Sequence, residues 1–224
     1  MRFQTQSQNM TKQSILETNK VLKNTYMLLS LTLGFSALVS YLTVAAGLQG
    51  PGFIMTLVGM FGLSALTQAL RNSPLGLLAV FAFTGFMGYV LGPIVAMYLH
   101  AYTNGAQLVY TSLGATGITF FALSTYVMST GKNFDFLGGI LCAGMTIAFL
   151  MLLAGFFFNI GFFHLVINGL IALMAAGSIL YQTSAIINGG ERNYIMVTIS
   201  LYCSLFNLFL SLLRLLSFFA RNRD

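Results

Sequence analysis

The side chains able to carry chemistry are few and far apart. The 224-residue chain has four acidic residues, Glu17, Asp135, Glu191 and Asp224, and two histidines, His100 and His164. There is no His-Glu-x-x-His, and no carboxylate falls inside a long apolar run. Zinc and aspartyl proteolysis within a membrane therefore lack their ligands and their acid. A serine nucleophile needs a base within hydrogen-bond reach. His164 with Ser178 or Ser204 is the pairing on offer, but neither serine sits in a Gly-x-Ser-x-Gly turn, and both lie deeper in the apolar segments than His164. His100 stands where an apolar run ends and reads as an interfacial residue. The sequence predicts no catalytic, metal or cofactor site, and so a non-enzymatic protein. Cys142 and Cys203 lie inside apolar runs and read as buried small hydrophobes, since a disulfide would need their helices to meet in register.

What does recur is a polar stripe. Ser200, Ser204, Asn207, Ser211 and Arg214 follow at spacings of 4, 3, 4 and 3, one face of a helix. A second set, His164, Asn168, Ser178 and Gln182, shares its phase with Ile171 and Ala175. In lipid there is no hydrophobic drive between helices, so small and polar residues mark the faces that meet protein. Both stripes should turn inward, either as interhelical hydrogen bonds or as a hydrophilic path. Gly85, Gly88 and Gly92 in Gly85-Phe-Met-Gly-Tyr-Val-Leu-Gly-Pro93 fall on nearly one helical face and permit close approach, with Pro93 as a kink or point of local unwinding. Gly138, Gly139 and Gly144 read the same way. No strand precedes the first set and no phosphate-neutralising group lies nearby, which excludes a nucleotide loop.

The elements that must position these residues follow from composition. Hydrophobic residues make up 57% of the chain and charged residues 6%, with a mean hydropathy of +0.85. A soluble surface takes roughly 25% charged residues. The composition excludes a cytosolic enzyme, a nucleic-acid-binding domain and a disordered chain; the pI near 9.5 comes from scattered basic residues. An all-α integral membrane protein remains. A bilayer core of about 30 Å takes about 20 apolar residues as helix, and seven such runs are present: Tyr26–Ala46, Pro51–Leu70, Leu75–Tyr98, Ala106–Met128, Phe136–Phe157, Phe162–Gln182 and Tyr194–Phe219. The predicted organisation is a cytosolic tail over 1–23, a seven-helix transmembrane domain over 24–219 and a short tail over 220–224. The polar stretch before Tyr26 and the length of the first run argue against a signal peptide.

Basic residues orient the chain. Arg2, Lys12, Lys20 and Lys23 lie in the N-terminal tail, and Arg71, Lys132 and Arg192 follow the second, fourth and sixth runs. The breaks after the first, third and fifth runs hold none. This predicts a cytoplasmic N-terminus. Seven crossings then put Arg214, Arg221 and Arg223 on the outer, periplasmic side; the alternative is a re-entrant seventh segment. Tyr194 to Arg214 covers about 30 Å at ~1.5 Å per residue, so Arg214 can snorkel at the boundary of a full span.

The stretches Phe83-Thr-Gly-Phe-Met-Gly-Tyr-Val-Leu-Gly-Pro93 and Ser200-Leu-Tyr-Cys-Ser-Leu-Phe-Asn-Leu-Phe209 resemble the signature of the Bax inhibitor-1 family. Lys20-Val-Leu-Lys-Asn-Thr-Tyr-Met-Leu-Leu-Ser-Leu-Thr-Leu33, Pro51-Gly-Phe-Ile-Met-Thr-Leu-Val-Gly-Met60 and Gly189-Gly-Glu-Arg-Asn-Tyr-Ile195 are similar to its bacterial inner-membrane branch. The resemblance covers nearly the whole chain beyond the first dozen residues. It implies seven helices with the last one central, and a partner: the FtsH-type membrane-anchored AAA protease, for which members of that branch are substrates and modulators engaged through the N-terminal tail. Residues 1–23, with Arg2, Lys12, Glu17, Lys20 and Lys23, would be the handle; extended, they reach about 75 Å at ~3.3 Å per residue. Other members are pH-sensitive calcium leaks gated by an aspartate pair on the last two helices. The matching positions here are Gln182 and Ser204. Neither titrates, and a divalent cation favours carboxylates, so the resemblance carries the cation leak as the alternative function, without its gate.

Overall fold

Hydrocarbon offers no partner for a backbone N–H or C=O, so each segment must satisfy its own, and helices do so one by one. The structure, a computed structural model, describes the backbone of residues 2–155 and 161–221 and the side chains of 16–151 and 165–220. All regular structure in the described residues is helical. The elements are α1 (Arg2–Ala45), α2 (Phe53–Leu70), α3 (Leu75–Ala101), α4 (Gly105–Thr130), α5 (Leu137–Gly155), α6 (Gly161–Ile187) and α7 (Tyr194–Arg221). Six are long and apolar enough to cross a membrane; α5 contributes a shorter apolar stretch, Leu137–Met151, within the described residues.

The N-terminal tail has no helical apolar pattern, yet α1 runs through it for 44 residues. Its physical reason is the absence of any stop: no Gly or Pro occurs before Gly34, and a helix once nucleated by the apolar run propagates at little cost through Gln, Lys, Ser and Thr. Where helices do end, the stops are local. α4 closes on Gly131, whose left-handed φ of 60° and N–H to Val127 O at 2.9 Å make a glycine cap. α7 opens on Asn193, whose Oδ1 accepts from Ile195 N at 3.1 Å and Met196 N at 3.3 Å.

These same caps tie the turns together. Asn193 Nδ2 donates to Arg71 O at 3.0 Å and to Asn72 Oδ1 at 3.1 Å, fastening the α2–α3 turn to the start of α7. Ser184 Oγ donates to Lys132 O at 3.2 Å and accepts from Phe134 N at 2.9 Å, fastening the α4–α5 loop to α6. Glu17 meets Arg192 at 3.5 Å. The breaks bearing Arg71, Lys132 and Arg192 thus gather at one end of the bundle with the polar part of α1. Tyr98, Tyr102 and Arg214 lie together at the other end.

Packing follows the small residues. A Cβ added at Gly88 of α3 would strike the Ser36 carbonyl of α1; one at Gly92 would lie 2.7 Å from Thr43 Cβ and 3.0 Å from Ser40 O, and one at Gly85 2.8 Å from the Phe35 ring. α3 continues as helix through Pro93, so the predicted local unwinding is absent: one missing rung is carried by those on either side, and the Pro93 ring rests near Gly50 in the α1–α2 link. Of the fifth-helix glycines, a Cβ at Gly144 would overlap the Met174 sulfur and one at Gly138 would touch the Tyr181 ring at 3.3 Å, whereas Gly139 has open space. α7 packs against α1, α2, α3, α4 and α6, whereas α5 packs against α6. Cys142 is exposed on α5 and Cys203 half-buried. The expectation that both are buried fails for Cys142, because an apolar outer face in lipid has no reason to hide a thiol.

The α1–α3 seam sets the first expected outcome. Gly88→Val should lower the melting temperature in mild detergent by several degrees, an overpacking cost of about 1–3 kcal/mol. Gly117→Ala, where an added methyl meets nothing within 4 Å, should leave it unchanged. Helical circular dichroism followed on heating makes the comparison.

Candidate functional site

The polar faces of α6 and α7 meet at two points, Gln182 with Ser204 and Asn168 with Arg214. Gln182 Nε2 donates to Ser204 Oγ at 3.2 Å, and Ser204 Oγ in turn donates to Ser200 O at 3.0 Å. Gln182 Oε1 is buried with no hydrogen-bond partner among the described residues. The Gln182–Ser204 pair lines a cavity of about 430 Å³ that Ser178, Ser200, Cys203 and Asn207 share, bordered on the α5 side by Met145 and Ala148. A second cavity of about 240 Å³ adjoins it through Gln182, Met196 and Ser200, and is bordered by Asp135, Glu191 and Tyr181.

The sequence reading places no carboxylate near the stripes, since both acids lie outside the spans. Folding brings them to the border of the second cavity because α5 begins after Asp135 and α7 after Glu191 at the same end of the bundle. The signal available was that shared end, set by the odd–even alternation of the breaks. Glu191 Oε1 accepts from Arg192 N at 3.0 Å and Asn193 N at 2.9 Å, and Asp135 Oδ2 accepts from Asn133 Nδ2 at 2.9 Å. Local backbone and amide donors hold each acid.

The remaining stripe residues divide. Ser204 and Ser211 on α7 are buried, as are Asn168 and Ser178 on α6; Ser200 and Gln182 are half-buried. Asn207 is exposed yet lines the larger cavity. Arg214 is exposed, and its Nη1 donates to Asn168 Oδ1 at 3.4 Å. The His164, Arg2 and Lys12 side chains lie outside the described residues. Glu17, Lys20 and Lys23 are exposed on the polar part of α1. No group of three His, Cys, Asp or Glu side chains among the described residues is disposed to hold a metal ion.

A tighter polar joint escaped the sequence reading. Tyr202, 1% exposed, shares a 2.6 Å hydrogen bond with Ser36 Oγ of α1 and donates to Thr84 O of α3 at 3.4 Å. Its ring meets Phe83 edge-on at 6.0 Å. Three helices thus converge on one phenol. Ser36 and Tyr202 are 166 residues apart, and a hydroxyl amid apolar residues carries no mark of its partner in a single sequence.

An all-helical bundle of apolar spans, with hydroxyls and amides at its internal joints, defines a multi-pass membrane protein. The chain belongs to the Bax1-I family, described as Inhibitor of apoptosis-promoting Bax1, whose family model matches residues 18–221. It is 47% identical over 209 residues to the Modulator of FtsH protease YccA of Escherichia coli strain K12, covering 93% of this chain and 94% of that one. The same identity and coverage hold for a protein of Escherichia coli O6:H1 named Inner membrane protein YccA. A membrane protein of Vibrio cholerae is 41% identical over 92% of this chain and 93% of its own.

The Ser36–Tyr202 joint is separable by a double-mutant cycle. Ser36→Ala, Tyr202→Phe and the pair should show a coupling of about 1 kcal/mol, within the range of interhelical hydrogen bonds in membranes. Denaturant titration in mixed micelles reads it, and strictly additive effects would mean that the two hydroxyls do not support each other.

Proposed function

We propose that this chain is a non-enzymatic inner-membrane protein that binds an FtsH-type membrane-anchored AAA protease and modulates it, as a substrate that occupies the enzyme while resisting extraction. The observation that carries this is the 47% identity to the Escherichia coli modulator over nearly all of both chains. The architecture is compatible with it. The polar part of α1 precedes the first apolar run by some 24 residues, about 36 Å of helix at ~1.5 Å per residue. It offers a handle that an ATP-driven pore can reach away from the bilayer.

In this reading the chain crosses seven times, with the run at 136–157 supplying the fifth crossing and α7 as the central helix. Support for the latter is that α7 packs against five of the other six helices. The N-terminus is cytoplasmic and the C-terminus periplasmic, by the positive-inside rule applied to the end where Arg71, Lys132 and Arg192 gather. A reporter fused after Asp224 tests the C-terminal side.

Deleting residues 2–12 should lengthen the cellular half-life several-fold while the bundle stays inserted in the membrane, and the protease should co-purify with the intact protein in mild detergent. Unchanged turnover, together with no protease recovered on the intact protein, overturns the proposal.

A cation leak is the second reading, favoured by the Gln182–Ser204 pair on the wall of the 430 Å³ cavity. Neither side chain supplies a titrating gate. Calcium flux into liposomes should be near background for the natural chain. A substantial flux that changes with pH only in Gln182→Asp or Ser204→Asp would promote the leak and its gate.

A further inference from the structure

The end of the bundle opposite the basic breaks holds an unassigned site. Arg214 on α7 faces a cavity of about 300 Å³, also lined by Tyr98 and Tyr102, by Asn168 and by Ser217 and Phe218. The two tyrosines stack with centroids 5.8 Å apart and planes 13° from parallel. α3 ends at Ala101, between these tyrosines, and α7 ends at Arg221, about two turns beyond Arg214. The cavity therefore lies at the ends of two spans, the depth at which hydrocarbon gives way to headgroups and at which Tyr and Arg side chains concentrate.

Charge decides what fits there. Among the described residues no carboxylate lines the cavity, and Asp224 lies outside them. Glu17, Asp135 and Glu191 belong to the other end of the bundle, and the ion pair found among the described residues joins Glu17 to Arg192. The contact from Arg214 to the neutral Asn168 amide, at 3.4 Å, is longer than the usual ~2.7–3.2 Å. A guanidinium at the edge of an apolar bundle is thus offered only dipoles by its described surroundings. Its planar fork matches a phosphate in two-point contact, and phenol hydroxyls add donors of the kind that phosphate accepts. A zwitterionic headgroup would also bring an ammonium, for which the described lining has no carboxylate. Leu165 and Leu215 border the same cavity and supply an apolar wall for acyl chains, which free phosphate would not use.

We propose that this cavity binds the phosphate of an anionic phospholipid, with Arg214 as its counter-charge and Tyr98 and Tyr102 alongside the headgroup. The test is native mass spectrometry of the full-length protein in mild detergent, titrated with phosphatidylglycerol, phosphatidylethanolamine or inorganic phosphate. One phosphatidylglycerol should be retained in preference to phosphatidylethanolamine. Arg214→Gln should weaken that retention about tenfold, the size of one lost charge-assisted contact, while Arg214→Lys keeps part of it. Arg71→Gln, at the other end, should leave it unchanged. Equal losses from Arg214→Gln and Arg71→Gln would reduce the effect to diffuse charge and overturn the site. Displacement of the lipid by millimolar inorganic phosphate would overturn the lipid as its source. Should Arg214→Gln fail to fold, the natural protein decides: a melting temperature raised by phosphatidylglycerol and not by phosphatidylethanolamine supports the site, and equal shifts overturn it.

Discussion

Lipid tails are as apolar as leucine, so burying leucine against leucine inside a bilayer gains little, and this bundle is organised by what remains. Close van der Waals contact and internal hydrogen bonds must supply the association between helices. That constraint explains why the best-defined contacts involve the smallest and most polar residues. The α1–α3 seam closes on Gly88 and Gly92 against the backbone of Ser36 and Ser40. The three-helix junction closes on one phenol, Tyr202, through Ser36 and Thr84. The large apolar residues are left to face outward, and many do: Phe53, Ile54, Tyr110 and Ile118 are each at least 70% exposed.

The same constraint governs the polar stripes. In water a serine on a helix face costs little wherever it points. In lipid it must find an acceptor, and the nearest is its own helix. Thr43, Thr67, Ser112, Thr116 and Ser204 all donate to a carbonyl four residues back. This leaves few side chains for bonds between helices, and two of those bonds, Gln182 with Ser204 and Arg214 with Asn168, mark the two cavities between α6 and α7. Asp135 and Glu191 border the cavity adjoining the first of these, while the second is bordered by a cation and two tyrosines. The described linings of the two cavities thus differ in charge, with carboxylates at one and a guanidinium at the other.

Helix number and most boundaries were legible because the signal for a span is long and one-dimensional. About 20 apolar residues between polar breaks leave few alternatives, and the observed helices depart from the predicted runs mainly at their polar ends. The Cys142 thiol was misread because rules learned from water-soluble chains assign burial to cysteine. The polar part of α1 is helical because nothing interrupts it, and Cys142 is exposed because its surroundings are apolar on either side. Spacing says which stripe residues share a helix face. It does not say which stripe residue meets which partner, since pairing depends on rotations of helices separated by many tens of residues, as with Ser36 and Tyr202. Asp135 and Glu191 lay in the breaks, where position along the chain says little about which cavity a side chain borders.

The unbroken helix from Arg2 to Ala45 has a mechanical consequence. A tension applied at its N-terminus runs along its axis, parallel to the seam with α3, because the part held in that seam and the polar part before it belong to one helix. Such a load shears the whole seam at once instead of peeling it from one end. Every glycine contact from Ser36 to Thr43 then shares the strain before any gives way. In the proposed role as a protease substrate, resistance to being drawn out of the bilayer would be a property of the α1–α3 interface as a unit.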